Sequence, residues 1–284
     1  MQDSPTDRRH CIGLPLPPDA LVFDRGVVEG GLRPGERDWF LRERQAWMTE
    51  SGCRSDDPDD LVNAHKIPVE PSRWVQFPEL PFDSDESLLS VSRRDMTDRA
   101  QRRDDDRWLS LLVASMAWGW GRKGFGPTRL RWILDGNSRW KALPRTETRR
   151  RLATAVDTLD RHGAVAAYGY LAGDERIPGF GPAFFTKFLY FADRAAGGQG
   201  CSLILDARLA WQMRGFWRRR VAEPYTANGP SPDWLWRGPV WTGRRYQIYL
   251  AFMGRVAAEL SESGERWTPD LVELLLFRRR LSEA

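Results

Sequence analysis

The chain has 284 residues, 41% hydrophobic and 29% charged, with a formal net charge of +4. That length can bury a real core, in one large domain or two modest ones, and the composition argues against wholesale disorder. A mean hydropathy of -0.54, with no run approaching roughly 18 apolar residues, excludes a membrane span.

The opening MQDSPTDRRH has no apolar core of the kind a signal peptide needs, so a cytoplasmic location is expected. Three cysteines (Cys11, Cys53, Cys201) and three histidines (His10, His65, His162) lie scattered. The cysteines are one short of the set an iron–sulfur cluster usually takes, and the histidines make a catalytic zinc site improbable. No metal and no organic cofactor is expected.

Residues 1–35 are rich in Pro, Gly and charge and read as an irregular arm. Asp38 to Glu50 carries Trp39, Phe40, Leu41 and Trp47 at roughly helical spacing and is closed by Gly52. Residues 53–95, with Pro68, Pro71, Pro78 and Pro81 among acidic residues, read as extended chain wrapping the body. The character changes near residue 96. Arg107 to Trp120 is a strongly apolar, buried helix that ends in a glycine-rich corner. Thr128 to Leu134, Thr146 to Arg161 with Thr146 as N-cap, and Ala164 to Leu171 follow as helices. Ala183 to Ala195, Asp206 to Arg220, Tyr246 to Ser261 and Pro269 to Ser282 complete the set. The expected fold is all-α, with an irregular N-terminal extension over 1–95 and a helical domain over 96–284.

Three arginine triplets (Arg149 to Arg151, Arg218 to Arg220, Arg278 to Arg280) stand in the second half. Acidic runs such as Asp56-Asp57 and Asp104 to Asp106 stand in the first. A basic half is the footprint of a nucleic-acid partner, and solvated helix faces are the plainer alternative. Of the fourteen tryptophans, most suit core packing, and a minority could be stacking platforms for bases.

The most informative stretch is 164–212. Pro178-Gly179-Phe180-Gly181-Pro182 forms a tight hairpin over 177–182 between two helices. Glycines there let the backbone turn and present N–H groups, and Pro182 suits the first position of a helix. Such a helix start can hold a backbone phosphate without reading sequence. That makes Gly179, Phe180 and Gly181 candidate DNA-binding residues, an ordinary helix–helix turn being the alternative.

Ile177-Pro-Gly-Phe-Gly, the apolar GPAFFTKFLYFA and then LILDARLA opening a helix at Asp206 together resemble the helix–hairpin–helix DNA glycosylases, in particular the 8-oxoguanine DNA glycosylase-fold proteins. The resemblance is sharp over 164–212, plausible from 107 to 280, and does not reach residues 1–95. It implies a helical bundle that binds double-stranded DNA, flips a modified base and cuts its N-glycosidic bond, with no obligate protein partner. Asp206 matches the family's aspartate, which stabilises the oxocarbenium-like sugar; a simple N-cap is the alternative, and both roles can coexist. Bifunctional members carry a lysine nucleophile that forms a Schiff base with the sugar. Lys187 is the only lysine in 142–284, and Phe184, Phe185, Phe188, Leu189 and Tyr190 jacket it; a lysine that only snorkels to solvent or binds phosphate is the alternative. In common members the lysine stands where this chain has Ala183. Positions 183 and 187 share a helix face, so the longer reach could compensate.

Arg208, two residues after Asp206, could touch the phosphate beside the target nucleotide, a solvated helix residue being the alternative. Trp118, Trp120, Lys123 and Phe125 could line the pocket for the flipped base, and core packing is the plainer role for these aromatics. The expected function is a DNA glycosylase with AP lyase activity, excising an oxidised purine such as 8-oxoguanine in base excision repair. Two alternatives stand beside it: a glycosylase for hypermodified phage bases in antiviral defence, and a non-catalytic helix–hairpin–helix DNA-binding protein.

Overall fold

The computed structural model describes residues 13–80, 82, 86–101, 106–198, 201–220, 231–238 and 241–279. Twelve helices and one two-stranded ladder are found among them. The end of the last predicted helix at Ser282, Arg280 of the third triplet, and Asp104 and Asp105 lie outside the described residues. The chain divides into two compact units, one formed by residues 1–62 with 205–284, the other by residues 63–204.

The first unit begins with α1 (Val22–Glu29) and α2 (Pro34–Ser51). Helix α1 lies inside the segment that reads as irregular. It is short, carries Gly26 mid-way, and has no side-chain cap, so its sequence signal is weak. Helix α2 opens with Pro34 after Arg33, whose N–H donates to Glu36 Oε2 at 3.0 Å, and closes at Gly52 with φ 68°. After α3 (Pro58–Asn63) the unit resumes with α9 (Ala207–Arg220), α10 (Pro232–Leu235), α11 (Gly243–Ser261) and α12 (Pro269–Arg278). Helix α12 packs on α11, α9 and α2, and α1 lies on α11 and α9. Trp217, Trp236 and Phe252 form an aromatic core, with Trp217 centred 4.9 Å from Trp236 and 5.3 Å from Phe252. Fully buried Asp24 accepts hydrogen bonds from Trp217 Nε1 and Arg245, each at 2.8 Å.

The second unit opens with β1 (Lys66–Val69), paired antiparallel to β2 (Leu89–Ser92) with Ile67 opposite Val91. Proline density in 66–81 hides this ladder from a periodicity reading, since Pro68 itself sits in a strand, where proline belongs only on an edge. Ser92 then caps α4 (Arg93–Ala100) by accepting the Asp95 N–H, while Asp95 accepts the Ser92 N–H. Helices α5 (Arg107–Trp120), α6 (Gly126–Asp135), α7 (Arg145–Ala172) and α8 (Pro182–Ala195) follow. Helix α7 is broken at Gly163 (φ 79°, ψ 177°), where the sequence divides it in two. It starts at Arg145, so Thr146 falls within the first turn and does not cap it.

Helix α8 is central in this unit. Its residues from Phe185 to Asp193 are all buried, and α7, α5 and α4 pack around it. A helix apolar on every side belongs inside. Tyr168 meets Phe185 at 4.8 Å, and Trp118 meets Phe191 at 5.2 Å, both edge-on. Among the described residues no helix is long and apolar enough to cross a membrane.

Candidate active site

The connection from α7 to α8 is a turn set by chemistry. The Phe180 N–H donates to the Ile177 carbonyl at 3.0 Å, with Pro178 and Gly179 as the central residues and Gly179 at φ 80°. Proline then glycine is the pairing a type II turn demands. Glycine is also required sterically at 179, because a Cβ there would stand 2.9 Å from the Trp140 ring and 3.2 Å from Ile133. The Gly179 carbonyl accepts from Arg129 at 2.7 Å. Arg129 in turn covers the faces of Trp140 and Phe184 at 5.4 and 5.6 Å. Burial lowers the pKa of this guanidinium from its ordinary value.

Gly181 is different. Its φ is -82°, open to any residue, and a Cβ there would meet nothing within 4 Å. No side chain caps α8, and among the described residues no acceptor meets the N–H groups of Gly181 and Ala183. The start of α8 thus presents donors and a positive helix terminus. Phe180, expected to face DNA, turns inward: it is 3% exposed and packs 6.2 Å from both Phe185 and Phe188. Its ring anchors the turn to the core.

Lys187 lies one turn into α8 and is only 6% exposed. Its Nζ donates to the Ala183 carbonyl at 2.9 Å. The side chain therefore runs back toward the helix N-terminus, as helical side chains do. Its amine ends at the level of residue 183.

Asp206 belongs to the other unit. It is half-buried and caps α9, its Oδ1 accepting from the N–H groups of Arg208 and Leu209 at 3.0 and 3.1 Å. The capping reading of Asp206 is thus realised. Arg208 donates to the carbonyls of Arg278 and Arg279 at 3.2 and 3.0 Å and lies over the Phe277 ring. Its guanidinium closes the C-terminus of α12, where the carbonyls of the last turn lack helical partners.

The four proposed pocket residues separate. Trp118 is 4% exposed, donates to the Val91 carbonyl at 3.2 Å and packs edge-on to His65, so it is a core residue. Trp120 is half-buried and stacks on Phe184, 6.0 Å between centroids and 24° between planes. Phe125 is 44% exposed and meets Trp120 and Trp132 edge-on. Lys123 is exposed on the corner between α5 and α6. The structure adds residues that the sequence did not mark. Trp140, Arg129 and the loop at 136–141 abut the hairpin turn, and Arg139 and Lys141 on that loop are exposed with no acidic partner among the described residues. No local motif announces them; only the fold of α6 back toward residue 179 does. Among the described residues no three His, Cys, Asp or Glu side chains gather to hold a metal ion.

Residues 60–277 match the family model described as "Putative 8-oxoguanine DNA glycosylase OGG-like protein". The chain belongs to this OGG-like family. Membership points to a DNA glycosylase with DNA as its substrate, and the all-α architecture agrees with it. The match begins at residue 60, so it reaches well upstream of the stretch 164–212 where the resemblance is sharpest and covers both strands and α4. No curated protein and no solved structure matches the chain.

Proposed function

We propose that this OGG-like protein is a bifunctional DNA glycosylase that excises an oxidised purine such as 8-oxoguanine from duplex DNA. Lys187 is the amine nucleophile and Asp206 the carboxylate that stabilises positive charge on the sugar. The observation that carries the reading is the placement of the Lys187 Nζ against the Ala183 carbonyl. The long side chain delivers an amine one turn upstream, to the level at which family members attach their lysine.

The Nζ lone pair forms a bond to C1′ while the bond from C1′ to the base breaks, and the electron pair leaves with the base, which takes up a proton. The nitrogen then loses a proton and its lone pair expels O4′, which takes up a proton, so that a protonated Schiff base is left at C1′. The helix–hairpin–helix supplies the grip: the N–H groups of Gly181 and Ala183 meet a phosphate, with Arg139 and Lys141 beside the turn. Trp120 and Phe125 are the aromatic surfaces offered to the extruded base.

Incubation with duplexes bearing single modified bases, in the presence of borohydride, tests this. The expected result is a covalent protein–DNA adduct with an 8-oxoguanine duplex that disappears in Lys187→Gln. Base release without adduct would make Asp206 and water the machinery and retire Lys187. Release only from hypermodified phage DNA would move the protein to antiviral defence, and release from no duplex would leave a DNA-binding module.

A further inference from the structure

We infer that Gly119 is a positioning residue for the Lys187 amine. The inference rests on the reading of Lys187 as the nucleophile. Gly119 is the penultimate residue of α5 and is exposed. Three ordinary reasons for a glycine do not apply. Its φ is not positive, and the left-handed position at the end of α5 belongs to Gly121 (φ 52°). Helix propensity disfavours glycine there. No backbone from another element approaches it, since among the described residues the only atoms a Cβ would meet within 4 Å are Lys187 Cδ at 2.9 Å and Cε at 3.1 Å.

Those two carbons are the last before the amine. A methyl group at 119 would press on them, and relief comes from the flexible end of the lysine, since no helix backbone has to yield. Swinging Cδ and Cε away takes Nζ off the Ala183 carbonyl, which it meets at 2.9 Å. The glycine therefore keeps open the channel along which the lysine lies, and the burial of Lys187 depends on it. Nothing about DNA binding runs through this contact, because the hairpin turn and the 136–141 loop stand on other residues.

A duplex with a single abasic site and borohydride reads this directly, since Schiff-base formation on the abasic aldehyde needs no knowledge of the base. The amine adds to the aldehyde carbon, water leaves, and hydride reduces the imine. Gly169→Ala in α7 is the control, a helical glycine whose Cβ would meet nothing within 4 Å. Gly119→Ala is expected to melt no lower than wild type and to bind the abasic duplex with unchanged Kd. Its adduct should form about ten- to a hundredfold more slowly, while Gly169→Ala traps at the wild-type rate. Wild-type trapping by Gly119→Ala overturns the inference, as does its unfolding, for then the helix and not the lysine absorbs the clash. Failure of the wild-type protein to trap, by contrast, overturns the nucleophile reading itself and this inference with it.

Discussion

Asp206 holds two N–H groups at the start of α9 and, in the proposed reaction, also faces positive charge. These roles can be separated with one atom. Asparagine offers the same capping oxygen without the charge, and the two residues cap almost equally well. Asp206→Asn should keep its melting temperature and lose about 10²–10³-fold in base release. Asp206→Ala should lose the release and also about 1 kcal/mol of stability through the missing cap. Thermal melts run beside base-release assays check both, and equal release by Asp206→Asn and wild type would leave the residue a cap alone. At this scale the sequence shows residue types well and side-chain directions poorly. Asp206, Lys187 and the two hairpin glycines are marked by their types. Phe180 and Trp118 look like ligand-facing aromatics, yet both turn into the core, because a buried ring stabilises more than an exposed one and the neighbouring helices leave room for it.

The connection from α7 to α8 sets two glycines under opposite demands. Gly179 answers to the fold, through φ 80° and the Trp140 ring, whereas Gly181 has open space around it. Gly179→Ala is therefore expected to cost about 1–3 kcal/mol, seen in chemical denaturation. Gly181→Ala should leave stability in place and weaken duplex binding, because its Cβ projects where a phosphate has to approach. The N-terminal turn of α7 is tied to the start of this connection by charge. Arg150 and Arg151 both bond Glu147 and reach Glu175, and Arg151 also donates to the Arg176 carbonyl. These arginines hold the Glu147 carboxyl at about 2, against an ordinary value of 4.5. The folded state thus gains from ionised Glu147 above pH 4.5, and that gain disappears as pH falls through about 2. Carbon-detected NMR should find Glu147 titrating near that value, and Glu147→Gln should flatten the acid limb of the stability profile over the same window. Element by element, the apolar runs disclose α5, α8, α9 and α11, whose buried residues recur at helical spacing or cover the whole helix. Helices α1 and α3 and the ladder escaped because they are short and stand among prolines and acidic residues, where packing partners far along the chain decide the outcome.

Over the whole molecule, the net charge of +4 is less available than the arginine triplets suggest. Arg149 pairs with Asp106, Arg218 with Asp233, and Arg219 and Arg220 with Glu36. Arg278 pairs with Glu50 and Arg279 lies over Trp39. These are the solvated or internally satisfied faces that the plainer reading of the triplets allows, and DNA affinity has to come from elsewhere. The double variant Arg139→Ala with Lys141→Ala should reduce the slope of log affinity against log salt by about 1.8, two phosphate contacts' worth. Arg218→Ala should leave that slope where it is. Fluorescence anisotropy across a salt series distinguishes them, and an unchanged slope in the double variant would remove the 136–141 loop from the binding surface.

One compact unit is assembled from two stretches of the polypeptide, 1–62 and 205–284, with the other inserted between them in the sequence. During translation the insert is contiguous and can collapse soon after it leaves the exit tunnel. The opening helices have no such option. Asp24 must await Trp217 and Arg245, 193 and 221 residues downstream. At ordinary elongation rates that is on the order of ten to forty seconds on the ribosome. Throughout it the apolar sides of α1 and α2 lack the helices they pack on in the folded unit, and a premature stop codon ahead of α12 strands both.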